Sequence, residues 1–99
     1  MKFLIVDDEE TSRSMVATML ADIAECDEAE NGTEAIAKFR SSVESASPYD
    51  LMILDIVMPE MDGHATAKAV RSIEKEQGIP LDKRVKIVML TGLNSPQDA

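Results

Sequence analysis

The 99-residue sequence predicts an α/β domain built on a doubly wound parallel sheet with helices on both faces. Two observations predict it. Short apolar runs at 2–6, 51–54 and 85–90 alternate with segments whose apolar residues recur at helical spacing. Each run also ends in residues able to do chemistry: Asp7-Asp8 after the first, Asp55 after the second and Thr91-Gly92 after the third. Strands alternating with helices need crossover connections, and right-handed crossovers generate a parallel sheet.

Taken in order, Lys2–Val6 is too brief for a helix and is apolar on both faces, as a central strand is. Residues 11–23 follow as a helix, with Met15, Val16, Met19, Leu20 and Ile23 on one face. Residues 25–29 form a weak, polar second strand. Asn31-Gly32-Thr33-Glu34 then starts a second helix, with Asn31 as cap and Glu34 placed to reach back to it. That helix carries Ala35, Ile36, Phe39 and Val43 on one face, and serines with Pro48 mark the loop beyond it. Residues 51–54 are a central strand. Asp62-Gly63 turns the chain into a third helix, whose buried face is Thr66, Ala69, Val70 and Ile73, and Gly78 with Pro80 ends it. Residues 85–90 are the fourth strand. Ser95-Pro96-Gln97-Asp98 reads as the first turn of a fourth helix, so the expectation is a single domain over 1–99 that stops short of its last elements.

Composition narrows the function. A net charge of −9 and a pI near 4.4 argue against direct binding to nucleic acid or to an anionic membrane surface. No apolar run approaches the ~20 residues of a membrane span, and residues 3–6 are too short for a signal-peptide core, so a cytoplasmic address is expected. The single cysteine, Cys26, excludes an intrachain disulfide and reads as a packing residue. His64 has no nucleophile or ligand set around it and is expected at the surface.

The strand ends carry the chemistry. In open α/β sheets, ligands bind outside the carboxyl ends of the strands. An aspartate after a strand is commonly a helix cap and a threonine a turn residue. Three carboxylates and a hydroxyl at one sheet edge are different, because like charges repel and are tolerated when a proton or a cation intervenes. An all-oxygen donor set suits a hard ion, with Mg2+ the best fit. A carboxylate nucleophile, a metal and a hydroxyl donor together favour phosphoryl transfer to Asp55.

These stretches resemble the receiver domain of bacterial two-component response regulators. The matching segments are Phe3-Leu4-Ile5-Val6-Asp7-Asp8-Glu9, Leu51-Met52-Ile53-Leu54-Asp55-Ile56-Val57-Met58-Pro59-Glu60-Met61-Asp62-Gly63 and Ile87-Val88-Met89-Leu90-Thr91-Gly92. The resemblance implies the flavodoxin-like strand order 2-1-3-4-5, with the fifth strand and the last helices missing here. It implies that Asp55 is phosphorylated by a sensor histidine kinase, a phosphotransfer protein or a small phosphodonor. Asp8, Asp55 and the Val57 carbonyl would bind Mg2+, with Asp7 assisting through water. Thr91 would hydrogen-bond the phosphoryl group and couple it to a change of surface. Val57 and Leu93 fall where the family tunes dephosphorylation, and both being apolar implies a long-lived phosphorylated state.

The same resemblance exposes a departure. The family's lysine at the end of strand five has no counterpart among Lys2, Lys38, Lys68, Lys75, Lys83 and Lys86. Removing such a charge costs a phosphoryl-transfer site electrostatic stabilisation. An alternative function is therefore an interaction module that dimerises without phosphorylation. A flavin-binding module is disfavoured, because acids at 7–10 stand where a phosphate loop would be. With no fifth strand, residues 85–90 would be an apolar sheet edge, and self-association through it is expected.

Overall fold

The computed structural model describes residues 1–55 and 62–90. Its elements are β1 (Lys2–Val6), α1 (Glu10–Leu20), β2 (Glu25–Ala29), α2 (Gly32–Glu44), β3 (Leu51–Asp55), α3 (Gly63–Glu76), a 3-10 turn at Leu81–Lys83 and β4 (Lys86–Leu90). The four strands form one sheet in the order β2-β1-β3-β4, all parallel. Fold class and strand order are as the sequence predicts. The helix start expected at residues 95–98 lies outside the described residues.

β1 is central because both its faces are covered: Phe3, Leu4, Ile5 and Val6 are all buried. In a strand successive side chains alternate, so Leu4 and Val6 share one face of the sheet and Phe3 and Ile5 the other. The Leu4 and Val6 face meets α2 and α3, where Ala35, Phe39, Val70, Ile73, Met52 and Leu54 complete the core. Burial of Phe39 alone contributes about 1.5–3 kcal/mol.

Local signals at the helix starts behave as the residues dictate. Asn31 Oδ1 accepts the Glu34 N–H at 2.8 Å, and Asp62 Oδ1 accepts the Ala65 N–H at 2.8 Å. Each satisfies a donor that a helix start leaves without a partner. The reciprocal half of the expected capping box is replaced by an ion pair, since Glu34 Oε1 turns to Lys38 Nζ at 3.6 Å. Thr66 sits fully buried among apolar neighbours because its hydroxyl donates back to the Asp62 carbonyl at 3.0 Å.

α1 departs from expectation. It ends at Leu20, so Ile23 lies beyond it and is 64% exposed, and Met15 and Met19 are 54% and 72% exposed. The helix packs on β1 and β2, and the rest of its apolar stripe projects past that contact. The face of β4 turned away from the core is similarly open, with Val88 and Leu90 exposed.

At the amino end of the sheet, Asp50 gathers three strands. Its carboxylate accepts the Lys2 N–H at 2.8 Å, its N–H donates to the Lys2 carbonyl at 2.7 Å, and its carbonyl accepts the Lys86 N–H at 3.2 Å. Lys2 Nζ adds a bond to the Ser47 carbonyl at 2.8 Å and lies 4.6 Å from the centre of the Tyr49 ring. A cavity of about 310 Å3 is lined by Lys2, Asp27, Lys38 and Tyr49 among others, and none of the three acids Asp7, Asp8 and Asp55 lines it.

Candidate metal and phosphoryl site

The carboxyl ends of β1 and β3 are neighbours, because Val6 pairs with Leu54 in the parallel ladder. Residues just beyond that pair are therefore forced together. One carboxylate oxygen from each of Asp7, Asp8 and Asp55 lies within 4.8 Å of the others. Asp7 and Asp55 are half-buried and Asp8 is exposed, so the cluster opens to solvent at one corner.

Electrostatics follow from that crowding. The Asp7 carboxyl is raised above its ordinary value, chiefly by burial. The Glu9 N–H opposes this, while the Asp8 and Glu9 charges and a hydrogen bond with Asp8 add to it. The charged form of Asp7 is thus held at a cost that a bound cation would relieve. Three hard oxygen donors and an open corner fit a hard divalent ion that keeps some of its waters. The donor chemistry and spacing fit Mg2+.

Asp7 is held on three sides. Its N–H donates to the Ala29 carbonyl of β2 at 3.1 Å, extending the β1–β2 ladder by one bond. Its carbonyl accepts from Arg13 Nη1 at 2.9 Å, and its Oδ1 accepts the Glu9 N–H at 2.9 Å, which turns the chain into α1. Arg13 Nε in turn meets Glu28 Oε1 of β2 at 3.0 Å. Sequence reasoning missed both Arg13 and Glu28. The available signal was an arginine one and a half turns past the strand-end acids, the first cation after them in the chain.

Of the residues expected at the site, Asp7, Asp8 and Asp55 are brought together. Val57, Thr91, Gly92 and Leu93 lie outside the described residues. Cys26 is half-buried, with Sγ on the Ala24 carbonyl at 3.6 Å, and His64 is exposed at the start of α3.

The family model for the response regulator receiver domain matches residues 3–99. This chain belongs to the response regulator receiver domain family. Among relatives, "Hybrid signal transduction histidine kinase L" of Dictyostelium discoideum is 36% identical over 91 residues, covering 91% of this chain and 5% of that protein. "Two-component response regulator ORR41" of Oryza sativa subsp. japonica is 38% identical over 77 residues, covering 73% of this chain and 57% of that protein. The receiver therefore spans less than two thirds of either relative. Among solved structures, the receiver domain of the histidine kinase CKI1 from Arabidopsis thaliana, complexed with Mg2+ and BeF3−, superimposes with a TM-score of 0.80 at 27% identity. That match covers 98% of this chain and 69% of the other. No helix among the described residues is long and apolar enough to cross a membrane.

Proposed function

We propose that this receiver domain accepts a phosphoryl group on Asp55 in a Mg2+-dependent reaction, from a histidine kinase or phosphotransfer protein in the cytoplasm. The observation that carries the reading is the convergence of the Asp7, Asp8 and Asp55 carboxylates within 4.8 Å. Asp7 and Asp8, with Asp55 itself and the Val57 carbonyl, would hold the ion. The ion would neutralise charge on the phosphoryl oxygens. An Asp55 carboxylate oxygen forms the new bond to phosphorus as the bond to the donor's nitrogen breaks, and the electron pair leaves with the donor. Asp55 sits at the end of a buried strand, so the nucleophile is fixed before the donor arrives. Thr91 would hydrogen-bond the phosphoryl group and couple it to a change of surface. The apolar residues Val57 and Leu93 cannot orient an attacking water by hydrogen bonding, which favours a long-lived phosphorylated state.

The test is incubation with Mg2+ and a small phosphodonor, followed by intact-mass measurement on the wild type and on Asp55→Asn. One added phosphoryl group in the wild type and none in the variant supports the reading. Modification of both overturns it.

A second reading is favoured by one observation, the exposure of Val88 and Leu90 on β4. Apolar side chains on a parallel strand are normally covered. We infer self-association through this strand, which would also serve a module that signals without phosphorylation. A monomeric scattering profile at high concentration would contradict it.

A further inference from the structure

We propose that Arg13 is the positioning residue of the acidic site, a bridge from α1 that fixes the Asp7 peptide by tying it to Glu28 of β2. The proposal rests on the reading of Asp7, Asp8 and Asp55 as a Mg2+ site and extends it to two residues outside the cluster.

The geometry is that of a built bridge. Arg13 is only 13% exposed at its side chain. Its guanidinium spends Nη1 on the Asp7 carbonyl at 2.9 Å and Nε on Glu28 Oε1 at 3.0 Å. The planar fork of an arginine can hold two acceptors in a fixed relation, which a lysine ammonium cannot. Glu28 is itself fixed from the other side, because its carbonyl accepts Lys38 Nζ at 2.6 Å. The Ala29 carbonyl already holds the Asp7 N–H, so the N–H of Asp7 is anchored on β2 directly and its carbonyl through Arg13. The Asp7 carboxylate therefore leaves a peptide that cannot rotate freely, and three mutually repelling acids stay converged before any ion arrives.

Two effects of Arg13 on cation binding have opposite signs. Its positive charge repels an incoming cation, so a purely electrostatic role predicts tighter Mg2+ binding when the charge is removed. Positioning predicts weaker binding. Pairing with Glu28 neutralises much of the charge, so positioning dominates. Partners one remove from a metal commonly lose roughly 10–100-fold in affinity when removed. The low end of that range is expected for Arg13, which acts through a peptide.

The test is a Mg2+ titration followed by amide NMR on the wild type, Arg13→Lys, Arg13→Gln, Glu28→Ala and the Arg13→Gln/Glu28→Ala double variant. Far-UV circular dichroism on each verifies the fold. Both Arg13 variants should weaken Mg2+ binding by roughly tenfold. Lysine should fail to rescue, because it keeps the charge and loses the bridge. Glu28→Ala should weaken binding less, and the double variant should be no weaker than Arg13→Gln alone. Without metal, the Asp8 and Glu9 amides should shift or broaden in the Arg13 variants, a response that a loss of stability alone would not confine to that turn. Mg2+ affinity within twofold of wild type in Arg13→Lys, or tighter binding by Arg13→Gln, overturns the proposal while leaving the metal site standing. A wild type with no Mg2+ response, indistinguishable from Asp8→Asn, overturns the metal reading and the bridge with it.

Discussion

The Tyr49 hydroxyl donates a 2.6 Å hydrogen bond to Asp27 Oδ2, tying the segment that enters β3 to β2 across the buried strand β1. Tyr49 is 5% exposed and is the only tyrosine in the chain.

That isolation makes its ionisation readable. Burial, then the hydrogen bond and charge of Asp27, then the charge of Glu25, push the phenol well above its ordinary value of 10.0. The folded state therefore binds the phenolic proton more tightly than the unfolded chain. Stability from this group is fully present below about pH 10 and is lost as pH rises above it. Absorbance at 295 nm should stay flat through pH 10–11 and rise together with the loss of far-UV signal. A free titration near pH 10 in the folded protein would refute the assignment. Tyr49→Phe should cost about 1–2 kcal/mol by denaturant unfolding, because the Asp27 carboxylate loses its donor.

Glu74 is fully buried in α3 and acts as a latch on the entry to β4. Its Oε2 accepts the Val85 N–H at 2.7 Å and its Oε1 accepts Arg71 Nη1 at 2.7 Å, while Arg71 also donates to the Val85 carbonyl at 2.8 Å. Glu74→Ala leaves a buried N–H without a partner and opens a void. A loss of roughly 2–4 kcal/mol is expected in chemical denaturation. Glu74→Gln keeps one acceptor and should cost less.

The acidic cluster sets metal-free stability against metal binding. Asp7 titrates above its ordinary value of 3.8 in the fold, so between that value and the folded one the native state holds more protons. Its contribution to stability therefore falls as pH rises through that window, and the full penalty is present at neutral pH. Asp7→Asn at pH 7 without metal should raise the Tm, because it removes the charged form that burial and the neighbouring acids disfavour. Mg2+ at one hundred times its dissociation constant should stabilise the wild type by about 2.7 kcal/mol and so raise its Tm, and should do neither for Asp8→Asn. The Mg2+ effect should weaken on acidification as Asp7, whose carboxyl is raised, takes up its proton. Calorimetry at two pH values checks all three.

Two backbone sites predict opposite signs for exchanging glycine and alanine. Gly78 ends α3 at φ +68° with nothing within 4 Å of an added Cβ, so Gly78→Ala costs only the left-handed backbone penalty of about 1 kcal/mol. Ala46 adopts φ 59° after α2, and Ala46→Gly should stabilise by up to about 1 kcal/mol. Thermal unfolding of the pair separates the effect from packing.

Much of this architecture was legible locally. Residues 2–6 and 51–54 are short apolar runs, and acids directly after them could only fall at the carboxyl edge of a parallel sheet. Asn31 and Asp62 announced helix starts because capping is decided within four residues. Exposure of Met15, Met19 and Ile23 was not legible, because a helical stripe fixes which side chains share a face and not what lies opposite it. The Arg13 bridge, the Tyr49 bond to Asp27 and the Glu74 latch join residues from different elements, and each depends on a register that only the assembled sheet provides. Glu74 gave one sign, a charge beside the apolar positions Val70 and Ile73.

The knot around Asp50 has a consequence for how the sheet breathes. Lys2, Asp50 and Lys86 cinch the amino ends of β1, β3 and β4, whereas the opposite ends of β1 and β3 carry acids that push apart. Hydrogen exchange should therefore slow toward the Asp50 end of β3, near Met52, while on β1 the bond to Ala29 keeps the Asp7 amide protected. The sheet is cinched at one end by neutralised charge, and ligands arrive at the other, where charge is left to be neutralised.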